Sequence, residues 1–145
     1  MEINQILKLK EIDQLDSAIL QFSKNTLATK KICASLLIGI IAIILRITNN
    51  SLDDSIYISS FFTFLLFWVI DSNSYYYQRK LRIRMSKLVK ELEDNASLLN
   101  GFGMPLEQNE TSSWIKAFFN ESQLFYIIGI VVVVVLFIFH KMNLY

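Results

Sequence analysis

The chain has 145 residues, 53% of them hydrophobic, and a formal net charge of only +1. This length and hydrophobicity indicate one membrane domain with a modest soluble portion. The single cysteine, Cys33, excludes an intrachain disulfide, and its place at the edge of an apolar segment is typical of a small core residue rather than of a reactive thiol.

Residues 1–31 are polar and periodic, and they predict an amphipathic helix. One face of this helix repeats apolar side chains every three or four positions: Ile12, Leu15, Ile19 and Phe22. No small-residue cleavage site follows the first apolar run, so the segment does not match a signal peptide. Because neither glycine nor proline interrupts residues 1–38, we expect the helix to continue into the apolar segment that follows.

Residues 32–73 contain two shorter apolar segments, at positions 32–45 and 55–70. Their lengths alone fit either a buried helix or a membrane span. The basic side chains that flank the first segment, Lys31 and Arg46, can snorkel and lengthen it, and three consecutive tyrosines after the second segment suit a membrane interface. We therefore expect the first two transmembrane helices here, joined by a short outer hairpin.

Residues 74–121 predict a basic helix, a Gly/Pro break and a short interfacial helix. The basic helix carries a second apolar stripe: Leu81, Met85, Leu88, Leu92 and Leu99. This helix can form one continuous rod with the span before it. Residues 101–111 end the rod, because they hold two glycines, the only proline and no periodicity. Trp114 precedes the last span, a position typical of an interfacial anchor.

Residues 122–140 are the strongest candidate for a span, with nineteen positions that carry no formal charge. Within them, residues 130–139 are ten consecutive apolar side chains. A helix of this length can cross the hydrocarbon core of a bilayer, whereas a soluble helix would need partners on every face to cover the same surface. Residues 141–145 then form an outer tail.

The distribution of lysine and arginine orients these spans. Bases are concentrated in residues 1–31 and directly after the second span, whereas the hairpin carries the acids Asp53 and Asp54 and no base. The positive-inside rule therefore places the N-terminus and residues 71–123 in the cytoplasm, in a multi-pass plasma-membrane protein.

The expected fold class is an all-α membrane protein. Three transmembrane helices, the N-terminal helix and the cytoplasmic helix are expected to form an oligomeric bundle in the lipid bilayer. The two apolar stripes need burial, and pairing within one chain makes only a thin two-helix hairpin. Several copies would bury both stripes more completely, so we expect a homo-oligomer, with a tetramer as the working stoichiometry.

Catalytic chemistry is missing from the sequence. It contains no Cys/His cluster with metal spacing, no nucleophile elbow, no phosphate loop and no dinucleotide fingerprint. Adjacent acids at Asp53–Asp54 and Glu93–Asp94 are ordinary for a loop or a solvated helix face. We therefore expect no enzymatic activity, no catalytic residue, no metal and no cofactor.

A stretch of aromatic and basic residues follows the second span. It supplies the candidate ligand-binding residues Tyr76, Arg79, Lys80, Arg82 and Arg84. In one interpretation the tyrosines lie at the lipid headgroups and the bases contact anionic lipid. In the other, arginine forks grip phosphate and aromatic rings stack on bases, so that an oligomer presents a ring of positive charge to a nucleotide or a short oligonucleotide.

Polar side chains in and beside the two shorter spans are candidates for lining a pore. The set is Arg46, Ser59, Ser60, Thr63 and Asp71. A charge near hydrocarbon is costly unless it is paired or wet. Lys30 or Lys31 could therefore pair with Asp71, and Arg46 with one of the hairpin acids. The alternative interpretation is that the charges only snorkel and the hydroxyls only join helices.

The run FLLFWVID at residues 64–71, followed by YYYQRKLR at residues 75–82, resembles a pattern in small membrane proteins of bacterial antiphage defence operons. In the SLATT-type effectors and the transmembrane effector of Hailong systems, an apolar span ends in Phe-Trp-x-x-Asp, and aromatic and basic residues then open a cytoplasmic helix. The resemblance implies an oligomeric channel of the bacterial inner membrane, encoded beside a nucleotidyltransferase whose nucleotide product controls it. Opening would depolarise the cell and stop its growth.

The function expected from the residues and the resemblance together is an oligomeric ion channel or pore. It would act as an abortive-infection effector, gated by a nucleotide-type signal on its cytoplasmic helices. Two alternatives stay open: a non-conducting membrane anchor or adaptor for a cytoplasmic partner, and a holin-like membrane toxin that needs no ligand. Liposome flux, and its dependence on ligand, distinguishes the three.

Overall fold

Three helices carry the apolar segments of the chain. The computed structural model describes residues 3–49, 53–95 and 114–142. Its elements, in order, are α1 (Ile3–Ile47), α2 (Asp54–Asn95), α3 (Trp114–Phe118), a 3-10 turn (Glu121–Gln123) and α4 (Leu124–Met142). The predicted Gly/Pro break, Leu99 and most of the predicted outer tail lie outside the described residues.

The helices α1, α2 and α4 are each long and apolar enough to cross a membrane. The prediction of a helical protein with three candidate spans is therefore confirmed. α1 has 45 residues and α2 has 42, so each is about 65 Å long at about 1.5 Å per residue. Because a hydrocarbon core is about 30 Å thick, each helix is about twice as long as a span requires. The N-terminal helix and the first span form one helix, as expected.

The two-helix arm consists of residues 3–29 of α1 and 72–95 of α2, which run antiparallel beyond the end of α4. Leu15 and Ile19, two members of the predicted apolar stripe, are buried in the arm. Gln78 is buried beside them, and its Nε2 donates a hydrogen bond to the backbone oxygen of Ile19 at 3.3 Å. Two ion pairs fix the register farther out: Lys8 Nζ to Glu91 Oε2 at 2.7 Å, and Arg84 to Glu11.

The three-helix segment consists of residues 30–47 of α1, residues 54–71 of α2 and all of α4. α4 packs on α2 and runs antiparallel to it. The two helices lie close together at Gly129, where an added Cβ would collide with the ring of Phe64. The buried core of the segment joins all three helices through Cys33, Leu37 and Tyr126, with Phe64, Phe67 and Trp68 packed against it.

The hairpin end of the segment is fixed by Asp54. Its Oδ2 accepts a hydrogen bond from Lys141 Nζ at 2.7 Å, and its Oδ1 lies 3.7 Å from His140 Nε2. The hairpin acid thus pairs with the end of α4, whereas Arg46 is exposed. The neighbouring Asp53 accepts hydrogen bonds from the hydroxyl and the backbone N–H of Ser55, which lower the pKa of its carboxyl.

A short connection attaches α4 to the arm side of the segment. Trp68 Nε1 donates a hydrogen bond to the backbone oxygen of Phe118 at 3.1 Å, which holds α3 against α2. The side chain of Asn120 then caps the 3-10 turn by accepting a hydrogen bond from the backbone N–H of Ser122 at 2.7 Å. Together these contacts place Ser122 and Gln123 over the point where the arm and the three-helix segment meet.

Candidate functional site

The charged group at the centre of this junction is Asp71, whose side chain is 0% exposed. Its nearest opposite charge is Lys30, with Nζ 3.9 Å from Oδ2. The Lys30 ammonium donates a hydrogen bond to Ser122 Oγ at 2.8 Å instead. Of the two lysines that could pair with Asp71, the structure brings Lys30 to it and leaves Lys31 exposed.

Further polar side chains surround the Asp71 carboxylate. Thr26, Gln123 and Tyr126 lie beside it, but none reaches it with the geometry of a hydrogen bond. The junction therefore contains buried polar atoms without a hydrogen-bond partner among the described residues: Thr26 Oγ1, both Asp71 oxygens, Ser72 Oγ, the Gln123 amide atoms and Tyr126 OH. We call Thr26, Lys30, Asp71, Ser72, Gln123 and Tyr126 the junction cluster.

The junction cluster is chemically unusual, because the great majority of buried polar groups in proteins are hydrogen-bonded. Asp71 also belongs to a helix that is long and apolar enough to cross a membrane, and ionisable side chains within spans are rare and tend to mark ion or proton pathways. The atoms with which the cluster could bind a ligand are nearly all oxygens. Among the described residues no group of three or more His, Cys, Asp and Glu side chains could hold a metal ion, so the cluster is not suited to a zinc-type site.

The other predicted pore-lining residues lie elsewhere. Ser60 and Thr63 are buried between the helices of a single chain. Thr63 Oγ1 donates a hydrogen bond to the backbone oxygen of Ser59 at 2.8 Å. The hydroxyl of Ser59 donates one to the backbone oxygen of Ile56 at 3.1 Å. Arg46 lies in the last turn of α1, at the opposite end of the three-helix segment from Asp71. The five residues therefore do not form one site within a single chain.

The predicted ligand-binding residues form part of the surface of the arm. The ring of Tyr76 stacks on Trp114, with centroids 4.9 Å apart, and Lys80 Nζ lies 4.7 Å from the centre of the same ring. Arg84 is ion-paired with Glu11 of α1. Arg79 and Arg82 are half-buried. We call Tyr76, Arg79, Lys80, Arg82 and Arg84 the basic surface. Tyr76 and Lys80 are in contact, and Arg84 is held by the neighbouring helix.

Several members of the junction cluster had no signal in the sequence that would single them out. Gln123 and Tyr126 stand at the start of an apolar span, where a glutamine and a tyrosine are ordinary interfacial residues. Thr26 stands among polar residues of the predicted cytoplasmic helix. Only the folded chain brings these three to Asp71, since they come from α1, the 3-10 turn and α4.

Comparison of the chain with protein-family models, curated proteins and solved structures finds no match. The resemblance to antiphage effectors therefore depends on residues 64–71 and 75–82 alone. These two runs are adjacent on α2. The first ends at Asp71, and the second ends within the basic surface.

Proposed function

We propose that the chain is a homo-oligomeric ion channel or pore of the bacterial inner membrane. A nucleotide-type signal on its cytoplasmic helices would gate it, and it would act as an antiphage, abortive-infection effector. The observation that carries this proposal is the continuity of α2, a single helix of 42 residues. Its apolar half bears Ser60, Thr63 and Asp71, and its polar half bears the basic surface. The antiphage role is supported by the resemblance alone.

Continuity matters because an unbroken helix transmits a tilt or a rotation along its length. Ser60, Thr63 and Asp71 are buried between helices, so water would reach them only after α1 or α4 separates from α2. The contact of Lys30 with Ser122 joins α1 to the start of α4 beside Asp71. A ligand that displaces the basic surface would strain this junction, which is our proposed gating step.

Apolar side chains on the arm support assembly of several copies. Leu20 and Leu27 lie seven residues apart on α1 and are 54% and 56% exposed. Lipid would not cover them if the arm lies in the cytoplasm. A seven-residue spacing suits the packing of one helix on another, so the same stripe of a second copy would bury them. A tetramer stays the working stoichiometry.

Charge on the basic surface supports binding of a phosphorylated ligand. Among the described residues, Arg79, Lys80 and Arg82 have no acidic side chain within ion-pair distance. Arginine forks bind phosphate oxygens in pairs, and the exposed ring of Tyr77 beside them could stack on a base. Each further copy in an oligomer would add another set of these bases.

The experiment is ion flux from liposomes that contain the purified full-length protein, with nucleotides and short oligonucleotides added outside. We expect flux that changes with one of these ligands. Replacing Arg79, Arg82 and Arg84 together by glutamine should abolish the response to ligand while flux itself persists. The matched control replaces Lys87 and Lys90, exposed bases farther along α2, by glutamine and should retain the response.

Other outcomes of the same experiment select other functions. A protein that folds and inserts but conducts under no condition is an anchor or adaptor, and the channel proposal is then wrong. Flux that never depends on ligand points to a holin-like toxin. An equal loss of response in the control variant would show that overall positive charge, rather than the basic surface, attracts the ligand.

A further inference from the structure

We propose that the junction cluster binds a partly dehydrated monovalent metal cation of the Na⁺ or K⁺ class, with Asp71 as its one charged ligand and Lys30 as a tethered competitor for the same position. The site would lie between α1, α2 and the start of α4. It needs no conduction by the chain, so its test is independent of the channel proposal.

The first argument is the unused bonding capacity of the carboxylate. Lys30 Nζ is 3.9 Å from Asp71 Oδ2, beyond the range of about 2.7–3.2 Å for a hydrogen bond. Its hydrogen bond goes to Ser122. The ammonium thus offsets the charge of Asp71 but occupies none of its lone pairs. Thr26, Tyr126 and Gln123 lie close to the carboxylate, yet neither oxygen has a partner at hydrogen-bond geometry among the described residues. A buried carboxylate in that state is costly unless something binds it.

The second argument is the kind of donors that converge. Beside Asp71 lie the hydroxyls of Thr26 and Tyr126 and the amide of Gln123, each with a buried polar atom that has no partner in the described part of the chain. Hard cations prefer oxygen ligands. One carboxylate with several neutral oxygens favours a single positive charge. A proton would satisfy one oxygen only.

The third argument concerns how Lys30 can give way. Among the described residues, the titratable side chains beside Asp71 are Lys30 on α1 and Tyr126 on α4. Binding a cation while the ammonium stays in place would leave an excess positive charge near hydrocarbon. The Lys30 side chain is 20% exposed at the arm side of the junction, so its flexible stem can carry the ammonium toward water. Cation and lysine would then exchange at one carboxylate.

Binding would also affect packing, because the ligands come from three elements. A cation held by Asp71, Thr26, Gln123 and Tyr126 would tie α2 to α1 and to the start of α4. Ligands that bind only the folded state raise its stability by mass action. We therefore expect alkali metal ions to stabilise the three-helix segment, in addition to the contacts already described.

The test is thermal unfolding of the purified full-length protein in neutral detergent, at constant ionic strength, as NaCl or KCl replaces choline chloride. The melting temperature should rise and saturate with one or both alkali ions. Asp71→Asn, which keeps the shape of the side chain, should abolish this dependence, whereas Asp53→Asn on the exposed hairpin should retain it. Direct binding of radioactive ²²Na⁺ to the wild type provides a readout that needs no variant.

Replacing Lys30 tests directly whether the ammonium competes with the cation. Lys30→Met removes the competitor and should lower the half-saturating concentration about fivefold or more, since unit charges about 4 Å apart repel appreciably even in water. Lys31→Met, the same change at the exposed neighbour, should leave it unchanged. The proposal is overturned if alkali ions do not change the melting temperature of the wild type, or if Asp71→Asn keeps the dependence. It is also overturned if acidification alone reproduces the stabilisation, because the site would then bind a proton.

Discussion

Two glycines in the apolar helices should respond in opposite ways to the same substitution. At Gly129 of α4 an added Cβ would collide with three atoms of the Phe64 ring, whereas at Gly39 of α1 a Cβ would meet nothing within 4 Å. Overpacking a well-filled contact typically costs about 1–3 kcal/mol. Alanine in place of glycine in a helix gains about 0.5–1 kcal/mol where space is free. Because the helix gain applies at both positions, we expect Gly129→Ala to be less stable than Gly39→Ala by about 1–3 kcal/mol in free energy of unfolding.

The assay is reversible unfolding in mixed micelles of neutral detergent and sodium dodecyl sulfate, followed by circular dichroism and tryptophan emission. Both variants are made in the full-length chain. A third variant combines Gly129→Ala with Phe64→Val, which removes the atoms that the new methyl group would meet. Because the two residues are in contact, the double-mutant cycle should show a favourable coupling energy of about 0.5–3 kcal/mol.

Two results would refute the reasoning. If Gly129→Ala is as stable as Gly39→Ala, α4 does not approach α2 at Phe64 as the structure shows. If the double-mutant cycle shows no coupling energy between Gly129→Ala and Phe64→Val, the collision is not with Phe64. A destabilising Gly39→Ala would instead place Gly39 against another copy of the chain, since no described part of the same chain is near it.

Two further substitutions test single contacts. Trp68→Phe removes the hydrogen bond to the Phe118 carbonyl and should lower the free energy of unfolding by about 0.5–1.5 kcal/mol. Trp114 is then the only tryptophan, and its emission should shift to the red as α3 loosens. Unchanged emission would contradict the contact. Ser55→Ala removes the main hydrogen bond that lowers the pKa of Asp53, so carbon NMR titration should show that pKa rise toward its usual value. Because the ionised form is the one stabilised, the variant should be less stable at neutral pH and match the wild type once pH falls below the folded pKa.

Hydrophobicity and helical periodicity were enough to predict much of the architecture. The run of apolar residues at 130–139 can be covered only by lipid or by partners on all sides, so composition alone identifies a candidate span. The spacing of Leu15 and Ile19 places them on one face of a helix wherever that helix packs, and both are buried. These properties are local, because they depend on neighbours within a few turns of the same helix.

The junction cluster depended on the tertiary structure. The sequence offered Lys30 and Lys31 equally as partners of Asp71, and only the register of α1 against α2 brings one of them to 3.9 Å. Gln123 and Tyr126 reach the same carboxylate from a separate element, more than fifty positions away in the chain. Register and approach between helices are set by side-chain packing across the whole interface, and no short stretch of sequence contains that information.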